Sequence, residues 1–328
     1  MRALALFSGG LDSLLAIKLI VNQGIEVIAL HFVTPLSNFD KNKEDALCQK
    51  VTNLGAQLKI IYLGDDYVKI LKTPRFGYGK NLNPCIDCKI LMLKHAARLM
   101  KELSASFVVT GEVLAQRPKS QHRETLRLIE KNCGLENLLL RPLSAKLLEP
   151  TLPEKEKWVN REEFFDFNGR SRKPQFKLAD SLGIKDFAWP AGGCLLTISS
   201  FCARVEDLLK HDECTPENLE LLKIGRHFRI SGSFKLIVGR NEKENNEILK
   251  LASNGDIIFE PLELPGPTGL GKGFLDYDTK IISSQIIAGY TSQNKEATKI
   301  AIRIFPETGS ETVSAATAGE NKLKQFRV

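Results

Sequence analysis

A chain of 328 residues with 43% hydrophobic and 26% charged residues is long enough for two domains and too apolar for wholesale disorder. Its formal net charge of +7 favours an anionic partner without naming one. No apolar run approaches the roughly 18 residues of a membrane span, and the N-terminal apolar stretch is too short for a signal-peptide core. The expected setting is therefore cytoplasmic, with no membrane partner, where the seven cysteines serve as thiols, metal ligands or catalytic groups rather than structural disulfides.

Residues 3–7 read as a short buried strand running into a Ser8-Gly9-Gly10 turn. Residues 12–22 carry Leu14, Leu15, Ile17, Leu19 and Ile20 at helical spacing, with Gly24 as the stop. Residues 26–32 are nearly all apolar and predict a second strand, so the three elements form a βαβ unit with a right-handed crossover. The alternation continues with a helix over 43–54 ended by Gly55, a strand over 58–63, a long helix over 87–103 and a strand over 107–110 closed by Gly111. This pattern predicts an α/β fold, a doubly wound parallel sheet with helices on both faces. Ligands of such sheets sit at the carboxyl ends of the strands, where Ser8, His31 with Phe32, and Gly111 all fall.

Regularity weakens after Pro142, and a different composition begins near Leu222. There the sequence predicts a strand pair within 228–239 around Ser231-Gly232-Ser233, helices over 245–252 and 280–290, and strands over 256–259 and 299–305. Two domains are expected, 1–205 and a smaller α+β domain at 206–328. Residues 307–320 are polar and small, and read as a loop or a partly ordered tail.

Two constellations carry chemistry. The first is Ser8-Gly9-Gly10-Leu11-Asp12-Ser13, between a strand and a helix. The glycines let the backbone approach an anion and aim its N–H groups at it, and the helix N-terminus adds positive potential. Ser8 and Ser13 supply hydroxyls to phosphate, and Asp12 makes sense there if a Mg²⁺ lies between it and the anion. The absence of Gly-Lys-Ser/Thr excludes a Walker A loop.

The second constellation is Asn83-Pro84-Cys85-Ile86-Asp87-Cys88-Lys89, in which Asn83 reads as a helix N-cap and Pro84 as the first helical residue. Cys85 and Cys88 then share one face of the first turn, where thiol pKa values are expected to be depressed. A third cysteine, Cys194, follows Gly192-Gly193, glycines that allow close approach to a bulky group. Three cysteines suit a [4Fe–4S] cluster with one open iron, persulfide and disulfide chemistry without a cluster, or zinc with a fourth ligand from elsewhere. Incidental thiols are the remaining reading, and the one adopted for Cys48, Cys133, Cys202 and Cys214.

The loop Ser8 to Ser13 resembles the SGGxDS signature of the PP-loop ATP pyrophosphatases, an adenine nucleotide alpha hydrolase-like fold. With Cys85-x-x-Cys88-Lys89, Met92, Thr110-Gly111-Glu112-x-Leu114-x-Gln116, Ser120-Gln121 and Leu140-Arg141-Pro142-Leu143, the first two hundred residues resemble PP-loop tRNA thiolation enzymes of the tRNA 4-thiouridine synthase type. Cys194 sits where cluster-bearing members carry their third cysteine. The resemblance implies ATP, Mg²⁺ and a [4Fe–4S] cluster as cofactors. The partners it implies are tRNA and a sulfur donor, either sulfide or a cysteine desulfurase. Its reaction activates a uridine carbonyl oxygen with AMP, releases pyrophosphate and replaces that oxygen with sulfur. Asp12, Cys85, Cys88 and Cys194 would be catalytic, and Ser8, Gly9, Gly10, Leu11, Ser13, His31, Phe32 and Gly111 would bind ATP. The synthases carry an RNA-binding extension before the loop, which here starts at residue 8.

From about Arg226, Val238-Gly239-Arg240-Asn241-x-x-x-Asn245, Gly255-Asp256-Ile257 and Pro265-Gly266 resemble the RNA-binding domain of the NFACT family, although Phe259-Glu260-Pro261 replaces its usual W/F-x-H segment.

Three basic runs complete the reading. Arg117, Lys119, His122, Arg123 and Arg127 form one, Arg170, Arg172, Lys173 and Lys177 another, and Arg226, Arg229, Lys235, Arg240 and Lys243 a third. Arg117, Lys119, Arg123, Arg170, Arg172 and Lys173 are the candidate RNA contacts. The function expected is an ATP-dependent tRNA sulfurtransferase. Its rivals are a PP-loop enzyme that sulfurates a different acceptor and a non-catalytic RNA-binding factor.

Overall fold

The apolar run after Met1 becomes β1 (Arg2–Leu6), followed by β2 (Glu26–Val33), β3 (Gln57–Tyr62), β4 (Phe107–Thr110) and the two-residue β5 (Leu139–Leu140). The computed structural model describes residues 1–187, 194–291, 297–317 and 319–328, which divide into two units, Met1–Thr197 and Ile198–Val328. In the first unit the five strands are all parallel, in the order β3-β2-β1-β4-β5. Between and after them come α1 (Leu11–Val21), α2 (Lys41–Asn53), α3 (Gly64–Lys72), α4 (Cys85–Glu102), α5 (Arg123–Cys133), α6 (Leu152–Lys155) and α7 (Lys173–Ser181). The doubly wound α/β expectation is borne out.

Burial follows the strand period of two. Ala3, Ala5 and Phe7 join Leu14 and Ile17 of α1 and Ala179 of α7 in one core cluster. Leu4 and Leu6 alternate with them and are equally buried on the opposite face, where α4 packs along β1 and β4. The chain moves outward from β1 to β2 and β3, then returns to β1's other side with β4. The order therefore reverses between β1 and β4, the place where such sheets open a crevice for ligands. Gly24 and Gly55, read as helix stops, have φ of +75° and +87°, a conformation glycine adopts without cost.

The second unit begins with α8 (Ser199–Lys210) and α9 (Pro216–Leu221). An antiparallel sheet follows, built from β6 (Arg226–Ser231), β7 (Phe234–Val238), β8 (Ile257–Pro261), β9 (Gly269–Gly273), β10 (Thr298–Ile304) and β11 (Glu311–Ala315), in the order β11-β10-β8-β9-β7-β6. One face carries α11 (Tyr277–Gly289), whose Ile286 and Ile287 pack with Phe228, Phe234 and Phe259. The other face carries α10 (Glu242–Leu251) and α9, through Ile248 and Leu221 on Ile237, Ile258 and Leu270. A last helix, α12 (Glu320–Phe326), follows β11.

Two expectations change here. The unit boundary lies at 197/198 rather than after 205, because α8 belongs with the second sheet. Its Asp207 accepts hydrogen bonds from Arg229 of β6 at 2.8 Å and from Lys235 of β7 at 2.7 Å. The stretch read as a loop or tail forms β11, paired with β10 from Thr298↔Ala315 to Ile302↔Glu311. Its polarity fits an edge strand with exposed side chains.

Candidate functional site

The Ser8–Ser13 loop lies at the carboxyl end of β1, beside the reversal in strand order. Gly9 takes φ +77°, which turns the chain from strand to helix, and Gly10 occupies the N-cap position of α1 with no side-chain cap. The first-turn N–H groups of α1 thus receive no side-chain acceptor, as an anion site requires. Ser13 is buried and donates from its hydroxyl to the Gly10 carbonyl at 2.7 Å, while Ser8 is exposed with its hydroxyl 3.4 Å from that of Ser13. Leu11 is buried in the core and contributes backbone rather than side chain to the loop.

Asp12 is held from two distant segments. Its Oδ2 accepts from Arg172 at 2.7 Å and from the Gln116 side-chain amide at 2.8 Å, while Oδ1 is buried without a hydrogen-bond partner. Gly111 explains its own identity: a Cβ there would lie 2.3 Å from the Asp12 carbonyl oxygen and 2.6 Å from the Ser13 nitrogen. No side chain fits between the end of β4 and the start of α1.

His31 lies half-buried near the carboxyl end of β2. Its Nδ1 lies 3.0 Å from the Phe7 carbonyl, so this nitrogen carries the proton and Nε2 is left as an acceptor. Burial holds its pKa below the usual imidazole value, which keeps the ring neutral. Phe32, the next strand residue, points to the opposite face and packs edge-on against His95 of α4.

The cysteine turn starts one residue later than the sequence implied. Pro84 takes the N-cap position and Cys85 is the first helical residue of α4. Asn83 accepts a bond from the Cys85 thiol at 3.0 Å instead of capping the helix. The buried Asp87 carboxylate accepts from the Arg75 and Phe76 backbone N–H groups at 3.0 and 3.1 Å, tying the turn to the preceding loop. Cys194 is exposed, and it is close enough to Cys88 to raise that thiol's pKa and to hydrogen-bond the buried Tyr67 hydroxyl of α3. Gly192 and Gly193, on which the close approach of Cys194 was argued, lie outside the described residues.

The depressed thiol pKa values expected at a helix N-terminus are not found. Burial pushes Cys85 up, partly offset by Arg117, Lys119 and Lys89. Cys88 is pushed up to about 12, by burial first and then by Cys194, with Lys89 acting against them. Desolvation outweighs the helix field. Among the described residues, no group of three or more His, Cys, Asp or Glu side chains is arranged to hold a metal ion. Cys88 nonetheless feels the charge of both Cys194 and Cys85.

Lys89 leads from the thiols to the loop. Its Nζ lies 3.5 Å from Glu112 Oε1, and Glu112 Oε2 accepts from Arg141 at 3.1 Å and from Thr110 at 3.1 Å. Burial alone would raise the Glu112 carboxyl, but Lys89 and Arg141 hold it below the ordinary range. Arg141 also pairs with Glu130 of α5. The quoted positions of the 110–116 motif each have a structural place. Thr110 and Glu112 belong to this network, and Gly111 lies against α1. Leu114 donates its N–H to Ser144 Oγ at 2.9 Å, and Gln116 binds Asp12.

The basic residues separate. Arg117 and Lys119 act on Cys85, and Lys119 also donates to the Tyr78 carbonyl. Arg123 begins α5 and donates to the Leu147 carbonyl at 2.7 Å. Arg170 and Lys173 are exposed beside the start of α7, whereas Arg172 turns inward onto Asp12.

Two family models match the chain: the thiamine biosynthesis protein (ThiI) over residues 1–146, and the NFACT protein RNA binding domain over residues 225–327. Residues 1–146 are thus similar to the first family and residues 225–327 to the second. A probable tRNA sulfurtransferase of Thermococcus kodakarensis is 30% identical over 142 residues, 43% of this chain and 36% of that protein. A tRNA-specific 2-thiouridylase of Nitratidesulfovibrio vulgaris is 30% identical over 139 residues, 39% of each. The chain therefore spans little more than a third of the length of these relatives. Among solved structures, a 4-thiouridine synthetase–RNA complex with bound ATP is 21% identical, covering 56% of this chain and 51% of that one, with a TM-score of 0.37.

The ThiI match covers the phosphate loop, the Cys85–Cys88 turn and the 110–116 motif, and ends before Arg172 and Cys194. Sequence reasoning missed Tyr67 and the Asp12 role of Arg172. Tyr67 sits in a helix that no motif marks, and Arg172 was grouped with neighbours by charge alone.

Proposed function

We propose that the chain is an ATP-dependent tRNA sulfurtransferase. The observation that carries this reading is the double engagement of the segment from Gly111 to Lys119. At one end Gly111 and Gln116 pack on Asp12 of the phosphate loop, and at the other Arg117 and Lys119 act on Cys85. Nucleotide activation and sulfur delivery would then share one short connection.

In this reading the Ser8–Ser13 loop grips the pyrophosphate of ATP, with Gly9, Gly10 and the α1 N-terminus aimed at it. The unpartnered, buried Asp12 Oδ1 suits a Mg²⁺ ion, which would neutralise phosphate charge. His31 and Gly111 border the nucleotide. The uridine carbonyl oxygen attacks the α-phosphorus, the bond to the β-phosphate oxygen breaks, and pyrophosphate leaves stabilised by the loop. A sulfur nucleophile then adds at the activated carbon, and AMP departs with the original oxygen. Cys85, Cys88 and Cys194 serve the sulfur, and sulfide or a cysteine desulfurase is the proposed source. A [4Fe–4S] cluster on the same three cysteines remains part of the proposal, but no step depends on it. Arg117, Lys119, Arg170 and Lys173 are the candidate contacts to tRNA phosphates in this unit.

The test is pyrophosphate release in the presence of ATP, Mg²⁺ and unmodified tRNA. Asp12→Ala and Gly9→Val are expected to abolish it with the fold intact by circular dichroism. Undiminished release in both would remove the phosphate-loop assignment.

A further inference from the structure

We propose that the C-terminal unit binds a free α-amino acid with an apolar side chain, in a cavity between α8–α9 and strands β6, β7 and β9. The site goes beyond the tRNA reading and does not rest on it.

The cavity measures about 200 Å³ and is lined by residues between Leu208 and Gly273. Pockets for drug-sized ligands run to roughly 300–1,000 Å³, so the occupant is a small metabolite. One or two waters do not fill it, since each takes about 30 Å³ of liquid volume.

Strand register explains why polar groups gather there. His227 stands opposite Ile237, Arg229 opposite Lys235, and Lys235 opposite Lys272. Ile237 and Leu270 belong to the apolar layer beneath α9 and α10. Two residues along the same face, the side chains are Lys235 and Lys272.

The charges around the cavity are already matched. Arg229 pairs with Asp207 at 2.8 Å and Glu213 at 2.6 Å, Lys235 with Asp207 at 2.7 Å, and Lys272 with Asp256 at 2.9 Å. Arg229 and Lys235 therefore leave the basic run read from the sequence. A phosphate or a metal ion would bring an unbalanced charge into this neutral set, whereas a zwitterion would not.

Two lining side chains keep hydrogen-bonding capacity to spare. His227 is 1% exposed, and its Nε2 lies 2.9 Å from the Ile224 carbonyl, so Nε2 carries the proton. Nδ1 is then an acceptor, and it is buried without a hydrogen-bond partner. Burial holds the ring well below the usual imidazole value, which keeps Nδ1 free to accept. An ammonium group is the donor it lacks. The bond to Asp207 uses one of the three donors of the buried Lys235, and the others suit a carboxylate, with Lys272 beside them. Leu208, Leu221 and Leu222 complete the lining and receive the apolar side chain.

The test is isothermal titration calorimetry of the full chain with leucine. Leucine is expected to bind. 4-Methylpentanoate, which lacks the amino group, and leucinamide, which lacks the carboxylate, should each bind about tenfold more weakly, because a buried group loses its partner. His227→Gln keeps a donor for the Ile224 carbonyl and removes Nδ1. It should weaken leucine about tenfold and leave 4-methylpentanoate unchanged, since the two losses are one interaction. Leu208→Phe fills the cavity and should abolish binding without lowering the melting temperature. Three results would each overturn the site: no binding of leucine, methionine or phenylalanine, inorganic phosphate binding in their place, or leucine binding untouched by both substitutions. None of these readouts involves ATP or tRNA, so each leaves the sulfurtransferase reading standing.

Discussion

Arg172 closes on Asp12 across 160 positions of sequence, its guanidinium nitrogen 2.7 Å from the carboxylate of the phosphate loop. Both side chains are largely shielded, at 21% and 16% exposure, so this is more than a transient surface pair. Arg172 therefore belongs with the Ser8–Ser13 loop rather than with the exposed basic face. Arg172→Gln is expected to raise the KM for ATP about tenfold, since a cation next to phosphate is lost. The salt dependence of tRNA binding should stay unchanged. An unaltered KM with a shallower salt slope would return Arg172 to the RNA-contacting group.

Gly111→Ala tests the close approach of β4 to α1. The added Cβ meets Asp12 backbone at 2.3 Å, and backbone cannot rotate away. Such overpacking costs about 1–3 kcal/mol. Pyrophosphate release should fall about a hundredfold as the loop shifts, a drop of the size seen when one preorganised donor is lost. Gly24→Ala is the comparison, because its φ is +75° but nothing lies within 4 Å of the new Cβ. It should lose only about 1 kcal/mol in a thermal melt and keep full pyrophosphate release.

Much of this site was legible because its parts are local. A strand, a glycine turn and a helix are neighbours in sequence, and so are Cys85 and Cys88. What could not be read was pairing at long range: Gln116 and Arg172 meet Asp12 from 104 and 160 positions away. Helix α7 was hidden because Pro174 reads as a breaker, yet it stands in the first turn, where its missing N–H costs nothing. Strand β9 was hidden by its composition, Gly-Leu-Gly-Lys-Gly. A Cβ at Gly269 would meet Ile287 at 2.6 Å, and one at Gly271 would meet Phe234 at 2.5 Å. These glycines make room for core side chains rather than marking a turn.

The thiols make a kinetic prediction. Cys194 is exposed while Cys88 is pushed up to about 12 by burial and its thiol neighbours. With iodoacetamide near neutral pH, peptide mapping should find Cys194 labelled first and Cys88 last of the three. Labelling of Cys88 should keep rising about tenfold per pH unit well past the usual thiol range, as its thiolate fraction grows. Equal rates for the two near pH 7 would contradict this ordering.

Asp207 sets an acid limit on the second unit. Burial pushes its carboxyl up, but hydrogen bonds from Arg229 and Lys235 bring it down to about 2. A depressed carboxylate contributes stability above its unfolded pKa and loses it as pH falls through the folded value. The contribution, discounted for solvent screening, is up to about 2 kcal/mol, and it should disappear between about pH 4 and pH 2. Asp207→Asn should be less stable at pH 7 and lack that part of the acid transition in the melting profile. An identical pH profile in the variant would show that the pair carries no net stability.

The most direct test of the central claim is mass spectrometry of tRNA nucleosides. Unmodified tRNA would be incubated without oxygen with the purified chain, ATP, Mg²⁺ and sulfide. The account predicts a thiouridine formed in step with AMP and pyrophosphate, and its loss in Asp12→Ala and Cys194→Ala. Accumulation of AMP and pyrophosphate with every uridine unchanged, or a thiouridine yield untouched by both substitutions, would contradict it.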